Sequence, residues 1–311
     1  MRVLVTGAAG FIGTHLVKHL WDDGHRVTRL DLRLMGISTA LNREGAMVVT
    51  CPPTDIRDDL AMGVHEDASA KCGGYDACVH LAAIASPNVC GSDPATAWST
   101  NVQGTFNVLG LCRWLGVKRV VFMSSAHCYG ISPKYLPTDE THPRALLDVY
   151  TATKVAGEDL CEMFWLYHGL SYCALRLFNA YGPGQSDQYF VGRKLAEAKA
   201  VRVTMRTPLR DVTKDWIHVS DVCRAIALAL ASDYVGAVNV GTGVETRLAD
   251  IAETIAAGFG VEVEPEDVGD PGPTRMCADW SRAKNILGWS PKITIEQGLA
   301  ALIKGAGGTF P

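Results

Sequence analysis

The chain has 311 residues, 48% hydrophobic and 20% charged, which suits one large domain or two intimate ones and excludes a disordered polymer. Its 29 Lys and Arg against 33 Asp and Glu leave a net charge of −4, too nearly balanced for a dedicated nucleic-acid binder. The longest apolar run near a helix, Ala225–Ala231, is far short of a membrane span, so no membrane partner is expected. Met1-Arg2-Val3-Leu4-Val5 runs straight into a strand pattern, which predicts no signal peptide. Ten cysteines form no CxxC pair, and Cys78, Cys173 and Cys223 sit inside apolar segments. They read as reduced core thiols of a cytoplasmic protein.

Strands are predicted at Arg2–Thr6, Arg26–Asp31, Met47–Thr50, Ala77–Leu81, Arg119–Ser124, Tyr172–Leu177 and Ala237–Val240. Helical spacings alternate with them, as in Phe11, Ile12, Leu16, Val17 and Leu20. This is the pattern of an α/β fold: a Rossmann-type doubly wound parallel sheet. Beyond about residue 180 prolines break the alternation, which predicts a smaller, discontinuous carboxy-terminal substrate domain. The expected division is 1–180 for the dinucleotide-binding domain, with sheet returns at about 215–243, and 181–214 plus 244–311 for the substrate domain.

The first strand runs into Thr6-Gly7-Ala8-Ala9-Gly10-Phe11-Ile12-Gly13, which opens a helix. Glycine lets the backbone turn sharply there, and lets a pyrophosphate approach the amides of a helix amino terminus. Asp31 ends the second strand, where a carboxylate accepts ribose hydroxyls and repels a 2′-phosphate, favouring NAD over NADP. Arg33 beside it is read as a solvated charge. Asp55-Ile56 follows the third strand, placed either to meet adenine or as an ordinary turn. His15 and His19 have chelating spacing but no third ligand is evident, so no metal is expected.

Tyr150 and Lys154 lie one helical turn apart on one face. A free phenol titrates near pH ~10 and is no base at neutrality, whereas a fixed ammonium beside it favours the phenolate. Ser125 ends the preceding strand, at the carboxyl edge where open α/β sheets bind ligands, and its hydroxyl can share a substrate hydroxyl with Tyr150. Asn101 is placed to buttress the site through a helix.

With these motifs stand His80-Leu81-Ala82-Ala83, Asn101-Val102-Gln103-Gly104-Thr105, Leu175-Arg176-Leu177-Phe178-Asn179-Ala180-Tyr181-Gly182-Pro183-Gly184 and Asp215-Trp216-Ile217-His218-Val219-Ser220-Asp221. Asn239-Val240-Gly241-Thr242-Gly243 and Ala278-Asp279-Trp280-Ser281-Arg282-Ala283-Lys284 continue the series. In this order, over nearly the whole chain, the sequence resembles an extended short-chain dehydrogenase/reductase of the NAD-dependent epimerase/dehydratase branch, which acts on nucleotide-activated sugars. The resemblance implies NAD held by Gly7, Gly10, Phe11, Ile12, Gly13, Asp31, Asp55, Ile56, Leu81, Ala82, Ala83, Asn101, Tyr150 and Lys154. It implies Tyr150 as the base that takes a sugar hydroxyl proton, with Lys154, Ser125 and Asn101 in support and a keto-sugar intermediate. It also implies a homodimer built on the helices near 95–115 and 150–168.

The sequence departs from that family at several points. Ala126 and His127 stand after the serine, where many 4,6-dehydratases carry Asp-Glu as acid and base, so the usual 4,6-dehydration is not expected. His127 fits either a base acting next to a transient ketone or a packing residue. Lys214 replaces the family's diphosphate-binding arginine, with charge but no bidentate fork. Arg193, Lys194, Lys199, Arg202, Arg206 and Arg210 form a cationic run, and Arg275 is a second phosphate candidate. Ala126, His127, Asn179, Arg193, Lys214 and Arg275 are therefore the expected contacts to a nucleotide-diphosphate sugar. The leading reaction is 4-epimerisation. A dehydratase using His127, a sugar or uronate dehydrogenase, and a noncatalytic redox-sensing or scaffold protein are the alternatives.

Overall fold

The structure, a computed structural model, describes residues 1–31, 48–49, 74–130, 133–200, 204–208, 212–266 and 275–310. Arg33, Asp55, Ile56, Arg202 and Arg210 lie outside the described residues, as does the side chain of Arg206.

Strands are β1 (Arg2–Thr6), β2 (Arg26–Leu30), β3 (Val48–Val49), β4 (Ala77–His80), β5 (Arg119–Ser125), β6 (Ser171–Leu177), β7 (Asn179–Tyr181), β8 (Thr204–Pro208), β9 (Thr213–His218), β10 (Gly236–Val240), β11 (Glu245–Arg247) and β12 (Glu262–Glu266). Helices are α1 (Phe11–Asp22), α2 (Pro87–Ser92), α3 (Pro94–Trp98), α4 (Gly104–Trp114), α5 (Val149–His168), α6 (Phe190–Ala200), α7 (Val219–Ala231), α8 (Leu248–Phe259) and α9 (Ile295–Gly305). A π-helical turn, Ser99–Gln103, joins α3 to α4. No helix among the described residues is long and apolar enough to cross a membrane.

The main sheet has seven strands in the order β10-β6-β5-β4-β1-β2-β3. The β1–β2, β1–β4, β2–β3 and β4–β5 pairs are parallel. The order reverses between β1 and β4, the topological switch point at which doubly wound sheets bind ligands. Covered on both faces, these strands bury near-continuous apolar runs: in β5 every residue from Arg119 to Ser125 is buried. Helix α1 buries Gly13, Leu16, Val17 and Leu20, spaced three and four apart, on one face. Asp148 caps α5 by accepting from the Thr151 amide at 2.7 Å, and Gly169 ends it at φ 67°. Cys78, Cys173 and Cys223 are buried thiols not joined in disulfides, as their apolar neighbours suggest.

The chain divides into two compact units. The first comprises Met1–Cys128, Leu146–Arg176 and Cys223–Val238; the second comprises Tyr129–Ala145, Leu177–Val222 and Asn239–Pro311. The segment Tyr129–Ala145, which the sequence reading left within 1–180, thus belongs to the second unit. A second difference concerns the return near residue 215. There β9 does not rejoin the main sheet but pairs with β7 and β11 in a separate three-stranded sheet. Of the two expected returns, β10 alone joins it, at the edge beside β6. The second unit has its own core, with Tyr181, Ile251, Ile255, Leu299 and Ile303 among its buried members.

Candidate active site

The glycine turn is shaped by close backbone approach. Gly7 has φ 68°, and a Cβ there would lie 2.7 Å from the Ala82 nitrogen. A Cβ on Gly13 would lie 2.8 Å from the Ala8 Cα. Gly10 is the N-cap of α1, where no side chain caps the helix and no acidic residue occupies the first turn. The amino terminus of α1 therefore keeps amides and a positive dipole end for an anion. Asp31 faces the same turn, its Oδ2 accepting from the Ala9 amide at 2.9 Å. Leu81 donates from its amide to the Thr6 carbonyl at 3.2 Å, and Ala82 to Thr6 Oγ1 at 3.2 Å. Leu81, Ala82 and Ala83 are half-buried beside this turn.

The fit to a dinucleotide rests on these features. Glycines let the turn close tightly on itself and on the backbone of Leu81 and Ala82, the helix end is bare, and a carboxylate is fixed just after β2. They bring together Gly7, Gly10, Gly13, Asp31, Leu81, Ala82 and Ala83 of the residues expected around NAD; Asp55 and Ile56 lie outside the described residues.

In the same unit, α5 carries Tyr150 and Lys154, 8% and 5% exposed. Lys154 Nζ donates to the Met123 carbonyl at 2.8 Å and sits 5.9 Å from the centre of the Tyr150 ring. Burial lowers the Lys154 pKa to about 8, while Cys90 and Glu158 pull it upward. The ammonium therefore persists at neutral pH, and a phenolate beside it would favour it further. Glu158 lies one turn on, accepting from Arg176 Nε at 3.0 Å and from Ser124 Oγ at 2.5 Å. Gly157 is required because a Cβ there would enter the Phe122 ring.

Ser125 ends β5, and its Oγ accepts from the His127 amide at 3.2 Å, so the serine also sets the turn that follows. Ala126 is fully buried, and His127 packs edge-to-face on Tyr150 with ring centres 5.9 Å apart. Asn101 lies in the π-helical turn, with Nδ2 donating to Thr153 Oγ1 at 3.0 Å and Oδ1 accepting from the Ile84 amide at 2.8 Å. Thr153 Oγ1 donates to the Tyr150 carbonyl at 2.7 Å. The first unit thus brings Asn101, Ser125, His127, Tyr150 and Lys154 together.

The expected sugar-nucleotide contacts in the second unit are differently placed. Asn179 Nδ2 donates to the Asp215 carbonyl at 3.1 Å. Arg193 and Lys194 both meet Glu197, at 3.8 and 2.7 Å, so two cations of the expected run share one carboxylate within α6. Lys214 is buried, which lowers its pKa to about 8. Arg275 is bound by Glu245, whose carboxylate also accepts from Thr213. Sequence reasoning did not single out Asp215 or Glu158. Asp215, fully buried, accepts from the amides of Thr242, Gly243 and Ala278 and from Thr242 Oγ1, at 2.7 to 3.0 Å.

Comparison with known proteins agrees with this geometry. The model of the NAD dependent epimerase/dehydratase family matches residues 3–241. The UDP-glucose 4-epimerase of Mycolicibacterium smegmatis is 33% identical over 314 residues, covering 98% of each chain. UDP-glucuronic acid decarboxylase 6 of Arabidopsis thaliana is 30% identical over 96% of this chain and 87% of its own. Among solved structures, the Thermus thermophilus UDP-glucose 4-epimerase in complex with NAD superposes with a TM-score of 0.84 at 30% identity, covering 99% of both chains. The glycine turn at the switch point, the paired tyrosine and lysine, and these relatives place the chain in the NAD dependent epimerase/dehydratase family.

Proposed function

We propose that the protein is a UDP-sugar 4-epimerase, interconverting UDP-glucose and UDP-galactose through a transient 4-keto-sugar. One observation carries this reading: a buried phenol and ammonium share a site with Ser125, while the following turn, Ala126–Tyr129, has no carboxylate to drive elimination. The relatives named as UDP-glucose 4-epimerases support it.

When bound, NAD would supply the hydride acceptor for oxidation of the sugar carbon and, once reduced, the hydride donor for its re-reduction. Gly7, Gly10, Phe11, Ile12, Gly13 and the α1 amides would hold its pyrophosphate, with Asp31 toward the adenosine ribose and Lys154 toward the nicotinamide ribose. Tyr150 accepts the proton of the sugar 4-hydroxyl as that carbon is oxidised, and gives it back on reduction. Lys154 stabilises the phenolate by charge; with one N–H committed to Met123, it has donors left for a ribose. Ser125 shares the substrate hydroxyl, and Asn101 fixes the first turn of α5 through Thr153. Asn179, Arg193, Lys214 and Arg275 are proposed to contact the UDP group, the last by exchanging Glu245 for phosphate.

Incubation with UDP-glucose should yield UDP-galactose by proton NMR. Tyr150→Phe should keep the fold and lose at least about 100-fold in kcat, the usual contribution of general acid–base catalysis. Full turnover by that variant would remove the assignment.

We propose further a cytoplasmic homodimer. The buried thiols suit a reducing compartment. Phe106 on α4 and Trp165, Leu166 and Tyr167 on α5 leave large apolar side chains exposed, with Phe106 stacked edge-on against Phe164 between the two helices. Sedimentation showing only monomer at working concentration would count against pairing.

A further inference from the structure

His80 ends β4 opposite Thr6 of β1, and both are buried, as is Thr105 of α4. Its Nδ1 lies 2.7 Å from Thr6 Oγ1 and its Nε2 lies 2.9 Å from Thr105 Oγ1. Each hydroxyl has a single proton to give. That of Thr105 goes to the Asn101 carbonyl, 2.5 Å away, so His80 Nε2 must donate to Thr105. Thr6 Oγ1 already accepts from the Ala82 amide at 3.2 Å, and its own proton has Nδ1 as its partner. The imidazole is therefore neutral with its hydrogen on Nε2.

The Asn101 residue thus anchored begins a second set of bonds through its side chain. Its Nδ2 donates to Thr153 Oγ1 at 3.0 Å, and Thr153 donates to the Tyr150 carbonyl at 2.7 Å. Aligned hydrogen bonds reinforce one another inside a low-dielectric interior. The opposite tautomer would set two hydrogens against each other at Thr6 and two lone pairs against each other at Thr105, and an imidazolium would strand the Thr6 proton. Burial, with the Lys154 charge nearby, holds the His80 pKa at about 3, in keeping with the neutral form.

We propose that His80 is a positioning residue: it fixes the direction of a hydrogen-bond chain that runs from the Ala82 amide, beside the glycine turn, to the backbone carbonyl of Asn101, whose side chain in turn holds Thr153 and the backbone of Tyr150. It holds the dinucleotide end of the sheet and the catalytic turn of α5 in one register. Its catalytic consequence rests on the reading of Tyr150 as the base.

The test is nitrogen-15 NMR of the full-length protein with NAD added. His80 should show a protonated Nε2, a bare Nδ1 and no titration between about pH 5 and 8, where an ordinary histidine changes charge. His80→Leu should lower kcat for UDP-glucose at least about tenfold with KM within about twofold, since a misplaced base costs rate more than binding. His80→Gln, which offers a carbonyl to Thr6 and an N–H to Thr105, should recover most of that loss. An Nδ1–H tautomer, a titrating His80, a leucine variant with wild-type kcat, or a glutamine variant no faster than the leucine one would overturn the proposal. Because the NMR readout uses the unaltered protein, misfolding of a variant leaves it decisive. An active Tyr150→Phe enzyme would remove the catalytic reading but leave the tautomer as stated.

Discussion

The two units each bury a carboxylate, and they stabilise it by different means. Glu158 in the first faces a guanidinium: Arg176 donates to both of its oxygens, at 3.0 and 2.8 Å, and Ser124 adds a hydroxyl. Asp215 in the second faces neutral donors, the amides of Thr242, Gly243 and Ala278 and one hydroxyl. Burial pushes the Asp215 pKa up while those hydrogen bonds pull it down. Glu158 ties together side chains on β5, α5 and β6, the elements that carry Ser125 and Tyr150. Asp215, on β9, ties down the backbone of Thr242, Gly243 and Ala278, the last of which also bridges to Thr138. One carboxylate fixes side chains by charge; the other fixes backbone amides of connecting segments.

Amide substitutions of equal shape separate these two roles. Glu158→Gln should cost about 3–5 kcal/mol in urea unfolding, because it leaves the Arg176 charge buried without its main counter-charge. Asp215→Asn should cost about 1–3 kcal/mol, since its nitrogen must turn a donor toward the Thr242 amide in one orientation or toward the Gly243 and Ala278 amides in the other. If Asp215→Asn proves the more damaging, the negative charge itself holds the loops and the contrast fails.

The same contrast explains what the sequence makes legible. The glycine turn, the helix it opens and the Tyr150/Lys154 pair depend on spacings within a few residues, so they can be read directly. The three-stranded sheet cannot, because the residues of β9 would suit either sheet and strand propensity does not name a partner. Arg193 and Lys194 lie four and three residues before Glu197, a spacing that does announce helical ion pairs. Arg275 and Glu245 are thirty residues apart, and only the folded chain shows that Arg275 must leave a carboxylate to meet a phosphate. Asp55 and Ile56 remain expectations from the sequence. The His80 chain lies between these extremes: a histidine in an apolar strand is visible, but its partners come from β1 and α4.

The smallest effect is expected at His127, where the two chemical readings differ most. Oxidising a sugar carbon to a ketone makes the neighbouring C–H acidic, and a neutral imidazole near pH 7 is able to take that proton. A dehydratase needs such a base; a 4-epimerase does not, because hydride leaves and returns at one carbon. In the structure the His127 ring lies edge-on against Tyr150, and its amide is bound to Ser125, an arrangement that serves to shape the turn around the phenol. Turnover of UDP-glucose in D2O should therefore give UDP-galactose without deuterium on carbon, by mass spectrometry. His127→Asn should stay within about fivefold of wild-type kcat, the range of a lost packing contact rather than of a lost general base. Deuterium next to the oxidised carbon, abolished in His127→Asn, would instead make His127 a base and turn the assignment toward elimination. Exchange that survives in the variant would point to Tyr150 as its source, since that group already faces the reacting hydroxyl in the proposed mechanism.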